Sequence, residues 1–179
     1  MTKHSCTLFT IGFLTLSASI FGAQHPQMPP GMTHEEHLAQ MKKDAELKAR
    51  GNAAMGFEQD AAEHHFVLLE DGGAVEVRAM GRGDTATRTA VRNHLQTIAR
   101  EFANGVFEKP FATHAETPPG VPSLQQLKQS LTYTYEEIVD GGRVRIRAAN
   151  SEALAAIHAF LRYQIVEHKT GDPLSPRKR

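Results

Sequence analysis

Cysteine is nearly missing from this 179-residue chain: there is one, Cys6. Tryptophan is absent and tyrosine occurs three times. With a single thiol the chain can form no internal disulfide, so its fold rests on apolar packing. No Cys–His nucleophile pair is available beyond residue 6, and no Gly-x-Ser-x-Gly elbow occurs. An excess of basic charge is also lacking. Lys and Arg total 20, Asp and Glu total 20, which argues against a nucleic-acid partner that would need a basic stripe. Gly81-x-Gly83 is followed by no Gly-Lys-Ser/Thr, so it is not a phosphate loop. Long apolar runs are missing too. The stretch Leu8–Phe21 is uncharged but falls short of the roughly 20 residues a spanning helix needs.

That stretch instead fits an export signal. Lys3 precedes it, and Ser17-Ala18-Ser19 and Gly22-Ala23 supply small residues for cleavage. Residues 1–23 are therefore predicted to be a signal peptide, giving a periplasmic or secreted protein with no membrane association after cleavage. Removing them takes away Cys6 and Lys3, leaving 19 basic and 20 acidic residues, a net charge of −1.

Histidine and methionine are plentiful. The mature chain would hold His25, His34, His37, His64, His65, His94, His114, His158 and His168, and Met28, Met32, Met41, Met55 and Met80. Residues 24–33 form a Pro-rich arm expected to be extended. Thr33 and Glu36 form a capping-box pattern that opens a helix over 34–51, with Gly51 as its stop. The Arg177-Lys178-Arg179 end belongs to a basic tail over 173–179.

The body of the chain, 57–172, contains an internal repeat. His65-Phe66-Val67-Leu68-Leu69-Glu70-Asp71-Gly72-Gly73 parallels Thr134-Tyr135-Glu136-Glu137-Ile138-Val139-Asp140-Gly141-Gly142 at an offset of 69 (140 − 71). A helical pattern follows each, and Leu95 matches Leu161 at an offset of 66 (161 − 95). Each copy reads as a hairpin turning at Asp-Gly, then a helix. The expected fold is α+β: two ββα repeats giving an antiparallel sheet of about four strands, helices on one face, and an N-terminal helix before them. With Asp71-Gly72 as the turn, Val75 would oppose Leu68, and Ala79 would oppose His64, placing His64 on the apolar face. In the second copy Tyr135 would oppose Ile146. Arg143, Arg145 and Arg147 would line a solvated, ion-paired outer face. Between the copies, residues 104–130 are broken by Pro110, Pro118, Pro119 and Pro122, with Ser123 expected to cap a short helix over 124–130.

Two groups of side chains could hold a metal. In the arm, His25, Met28, Met32, His34, His37 and Met41 lie within 17 residues. Thioether sulfur is a soft donor that selects Cu(I), and imidazole suits copper and zinc. His34-Glu35-Glu36-His37 is not a zincin motif, because its histidines are three apart rather than four. In the body, His158 and His168 fall within the stripe Leu154, Ile157, Leu161, Ile165, and His94 borders the stripe Val91, Leu95, Ile98, Phe102. With His64, these imidazoles point to one interior. The alternative for each is a separate partner, a backbone carbonyl or a carboxylate. The functional expectation is an exported metal-binding protein, with copper first and zinc second. A metal-free module binding another exported protein through the sheet face is the first alternative. A small His/Glu acid–base enzyme is the second.

Met55-Gly56-Phe57-x-Gln59, His64-His65-Phe66, Pro118-Pro119-Gly120-Val121-Pro122 and Phe160-Leu161-Arg162-Tyr163-Gln164-Ile165-x-x-His168-x-Thr170-Gly171-Asp172 resemble a group of uncharacterised small exported bacterial proteins, over about 33–173. The resemblance implies export and supplies no activity. The arm separately resembles the Met/His-rich segments of periplasmic copper-handling proteins.

Overall fold

The computed structural model describes residues 30–81 and 83–178. Helix α1 spans His34–Met55, strands β1 and β2 span Ala62–Leu69 and Gly72–Ala79, and α2 spans Thr85–Ala103. Short helices α3 (Glu108–His114) and α4 (Val121–Gln126) lead to β3 (Leu131–Ile138), β4 (Gly141–Ala148) and α5 (Ser151–Glu167). The sheet is antiparallel throughout, in the order β1-β2-β4-β3. The fold is thus α+β and carries the ββα unit twice, the two hairpins joining through β2 and β4. Among the described residues no helix is long and apolar enough to cross a membrane.

The hairpins turn one residue earlier than the Asp-Gly pattern suggests. Leu69 pairs with Gly72 and Ile138 with Gly141, so the turn residues are Glu70-Asp71 and Val139-Asp140. Opposed partners shift by two: His64 faces Val77 and Tyr135 faces Val144. A shift of two leaves every side chain on its expected face. The glycines are needed for packing instead. A Cβ on Gly72 would collide with the Ile146 carbonyl, and one on Gly141 with that of Val77, where β2 meets β4. A Cβ on Gly73 would strike Leu161, and one on Gly142 would crowd Tyr135 and Leu95.

That last pair shows how the copies interlock. Leu95 of α2 lies on the second hairpin and Leu161 of α5 on the first. Each helix covers the other copy's strands. The polar contacts repeat the exchange. Arg92 donates from Nε to the Gly141 carbonyl at 3.1 Å and from a terminal nitrogen to the Ile138 carbonyl at 3.3 Å. His158, 66 residues later, lies with Nε2 2.9 Å from the Leu69 carbonyl and 3.0 Å from that of Gly72. Leu69 and Gly72 are the repeat equivalents of Ile138 and Gly141. Helices and sheet enclose one core that includes Phe66, Leu68, Val77, Leu95, Val144, Ile146, Ile157 and Leu161.

Local signals account for most element ends. Thr33 and Glu36 form the capping box, Asp84 caps α2 through Thr87 N–H, and Asn150 caps α5 through Ala153 N–H. Helix α1 does not stop at Gly51 but continues to Met55, ending on Gly56 in the left-handed conformation at φ 79°. Gly51 is buried, and a Cβ there would crowd Gln59 Oε1 at 3.2 Å. Arg50 Nε donates to the Thr113 carbonyl of α3 at 2.9 Å. Helix α4 begins at Val121 behind Gly120 rather than behind Ser123. Pro110 sits in the first turn of α3, where a missing N–H costs nothing.

The outer sheet face is ion-paired but not wholly solvated. Arg143 reaches Glu76 at 2.7 Å and Glu136 at 3.2 Å. Arg145 is buried, 6 % exposed, bonded to Asp71 and, at 2.9 Å, to the Gly73 carbonyl. Its register partner is the small residue Ala74, which leaves room for the guanidinium to lie down on the sheet.

Candidate histidine pocket

The inner face of β1 and β2, the facing sides of α2 and α5, and the ends of α1 and α3 enclose a cavity of about 80 Å³. Its polar lining is His64, His94, Thr113, His114, Gln164 and His168, with Lys109 at the rim, and Met55 is among its apolar residues. The rest is apolar, including Phe66, Val77, Leu95 and Phe102. The His64 and His168 rings stack at 6.3 Å between centroids and 9°. His114 meets His168 edge-on at 5.1 Å and 80°. His94 meets Phe57 edge-on at 5.8 Å, and Phe57 stacks on His64 at 6.2 Å.

Burial governs the protonation of these rings. It pushes His64 and His94 down to about 4 and His168 to about 3, with neighbouring charge adding to the effect: Lys109 acts on His94, and His114 and His64 act on His168. His114 is lowered too, by burial, against the raising effect of its hydrogen bond to Gln164 Oε1. At neutral pH all four are neutral imidazoles, the protonation state in which a ring nitrogen can ligate a metal.

Partners for these nitrogens are incomplete. His114 Nε2 lies 3.1 Å from Gln164 Oε1, and His168 Nδ1 lies 3.4 Å from Gln59 Nε2. His64 Nε2, His114 Nδ1 and Gln164 Nε2 are shut off from solvent with no protein partner. His114 and Gln164 are only 8 % and 4 % exposed. Each buried polar atom left unsatisfied costs about 1–3 kcal/mol, so three around one cavity mark a place that a polar occupant would stabilise.

Of the four body histidines named from the sequence, His64, His94 and His168 meet here. His158 does not. Its Nε2 lies between two hairpin carbonyls, so it is a clamp on the first turn as Arg92 is on the second. His114, Gln164 and Met55 take its place. Gln164 carried a readable signal: it is the repeat equivalent of Ile98, a polar residue at an apolar stripe position. His114 carried none, since its place depends on how α3 packs against α1. Among the described residues no three His, Cys, Asp or Glu side chains converge closely enough to hold an ion as they stand. The rings share a cavity, and ligation would need side-chain rotation.

The described part of the arm does not join this pocket. His25 and Met28 lie outside the described residues. Met32 and His37 are half-buried, and His34 and Met41 are exposed, at the start of α1. The pocket is at the other end of that helix. At 1.5 Å per residue His37 and Met55 are about 27 Å apart along it.

On the outer side of β1, His65 Nδ1 lies 3.1 Å from Asp172 and His65 Nε2 3.4 Å from Glu63. Burial opposes ionisation of Asp172, but hydrogen bonds from Phe66 N–H and Thr170 prevail and hold it below the usual carboxylate range.

The fold and site together define a duplicated ββα domain with a buried, histidine-lined pocket. No protein-family profile matches the chain, and neither does a curated protein or a solved structure.

Proposed function

We propose that this is an exported protein that binds a copper ion in the histidine pocket, with zinc as the competing ion. The observation that carries the reading is the set of neutral imidazoles around one cavity, two with buried, unpartnered ring nitrogens: His64 Nε2 and His114 Nδ1. His94, His168 and Met55 line the same space. Imidazole with thioether favours copper over harder cations.

The inner cavity, about 80 Å³, has room for an ion. The arm residues His25, Met28, Met32, His34, His37 and Met41 would gather copper; of these, Met32, His34, His37 and Met41 lie near the start of α1, away from the inner site.

The alternatives fit less well. A sheet face that recruits an acidic partner needs free guanidinium groups, yet Arg143 and Arg145 are engaged with Glu76, Glu136 and Asp71, which leaves Arg147, 3.8 Å from Asp71 and half exposed, as the one loosely held guanidinium of the three. An acid–base site built from His64, His158 and a carboxylate loses His158 to the hairpin carbonyls.

The test is anaerobic Cu(I) competition titration of residues 24–179 against a chromophoric chelator, with Zn(II) in parallel. Copper retention that is lost in the His64→Phe/His168→Phe double variant supports the pocket. Retention lost only on deleting residues 24–41 would move the site to the arm. Failure of the intact chain to compete for either ion removes the metal reading.

A further inference from the structure

The pocket has two approaches, and they differ chemically. One is an open cleft of about 440 Å³ beside the start of β1, lined in part by Glu63, His65, Met80 and Thr170. His64 and His168 line both this cleft and the inner cavity, so they form the wall between them. The other is a cleft of about 360 Å³ between α1 and α2, which shares Met55, His94 and Lys109 with the cavity. That lining holds one cation, Lys109, paired with Glu101 at 2.5 Å, and no carboxylate. At the first cleft an entering cation would meet the Glu63 carboxylate, which is largely exposed.

Three features of the first cleft suit a soft cation. Met80 is 66 % exposed, so its thioether lies open at the rim. Asp172 fixes His65 through Nδ1 at 3.1 Å, the carboxylate–imidazole pairing that orients a histidine ligand and raises its basicity. That pairing turns the other ring nitrogen toward Glu63, at 3.4 Å. Beyond them lies His64 Nε2, buried and without a protein partner.

We propose that the cleft of Glu63, His65 and Met80 is the entry port for copper, with Met80 and His65 as transient ligands that pass the ion to His64 and His168. The inference rests on the copper reading of the inner pocket. Glu63 raises the local concentration of the cation, Met80 and His65 replace part of its solvation, and rotation of His64 or His168 carries it inward. No bond order or oxidation state changes: one set of donor atoms replaces another around the same ion. The arrangement predicts that port residues set the rate of loading and pocket residues set the affinity.

The experiment follows transfer of Cu(I) from a coloured chelator complex to the full mature chain by anaerobic stopped flow, with the equilibrium position read at the end of each trace. Met80→Leu and Glu63→Gln are each expected to slow loading by about tenfold, with the equilibrium constant held within about twofold. His64→Phe is expected to abolish retention. Asn93→Phe, at the other cleft, is expected to leave the rate unchanged. Circular dichroism checks that each variant is folded. Wild-type loading rates in both port variants, or slow loading in Asn93→Phe, would overturn the port while leaving the copper site standing. A wild-type chain that takes up no Cu(I) would overturn both.

Discussion

The two copies of the ββα unit build two matching corners of one core, and the corners differ in chemistry. At one, Tyr133 of β3 meets Phe102 of α2 at 5.9 Å, and Phe102 stacks on Phe107 at 4.3 Å and meets Phe160 at 5.9 Å. At the other, the repeat equivalents of Tyr133, Phe102 and Phe160 are His64, His168 and His94, and Ile98 is answered by Gln164. The backbone frame is shared, down to the clamps Arg92 and His158 on the hairpin turns. Aromatic packing gains dispersion and apolar burial. Both corners leave one buried polar atom without a protein partner at the matching strand position, the Tyr133 hydroxyl and His64 Nε2, and at the imidazole corner His114 Nδ1 and Gln164 Nε2 add two more, which destabilises the fold unless a ligand compensates. Duplication provides the scaffold, and the departure from duplication marks the site.

The largest effect is expected where the frame itself is broken. Gly72→Ala and Gly141→Ala each place a Cβ against a carbonyl across the β2–β4 seam. Each should cost about 4 kcal/mol or more, outside the range of ordinary substitutions. Chemical denaturation of the two variants checks this. A loss below about 1 kcal/mol for either would mean that the hairpins do not meet in this register.

Acid should separate the corners next. In the unfolded chain the imidazoles take up protons near 6.5, whereas in the fold His64 and His94 do so near 4 and His168 near 3. Between those values the unfolded state binds more protons. Stability of the metal-free protein is therefore complete above pH 6.5 and falls as pH drops toward 4. The slope is at most about 1.4 kcal/mol per pH unit for each ring. Denaturation between pH 7 and 4 should show it, and replacing His64, His94 and His168 by Phe should flatten it. An unchanged slope in the replaced protein would place the responsible groups elsewhere.

The clamps give a matched test of smaller size. Arg92→Ala and His158→Ala each leave two hairpin carbonyls without their donor, costing about 1–3 kcal/mol, and His158→Ala should leave copper retention intact. Loss of copper in that variant would return His158 to the metal site.

The smallest expected effect has opposite signs at the two corners. His168→Phe copies the aromatic corner and should raise the melting temperature by about 2–4 °C, as 1 kcal/mol does in a domain this size. Phe102→His copies the polar corner and should lower it by at least as much. Stabilisation by Phe102→His would contradict the packing account.

Much of the frame was legible in the sequence because it depends on local rules. The offset of 69 revealed two hairpins, alternation put His64 on the inner face, and Thr33 with Glu36 marked a helix start. The exact turn was misplaced by one residue because Asp-Gly is a strong turn signal, whereas here the glycines serve the seam between hairpins. Gly51 read as a helix stop for the same reason: it is buried inside α1 and packs under Gln59, a contact made only when the chain folds back. His158 looked like a ligand because it falls on the buried stripe, and its carbonyl partners lie 86 and 89 residues away.

The amino-acid order alone determined the α+β class, the duplicated unit and the inward placement of His64, since backbone periodicity and turn chemistry act over a few residues. Tertiary structure alone decided that each helix lies on the other copy's strands. It thereby brought His64 of the first copy against His168 of the second, and the packing of α3 under α1 added His114. Contacts across such sequence distances are set by which apolar surfaces fit together in space, a property of the assembled core that no short window of sequence encodes.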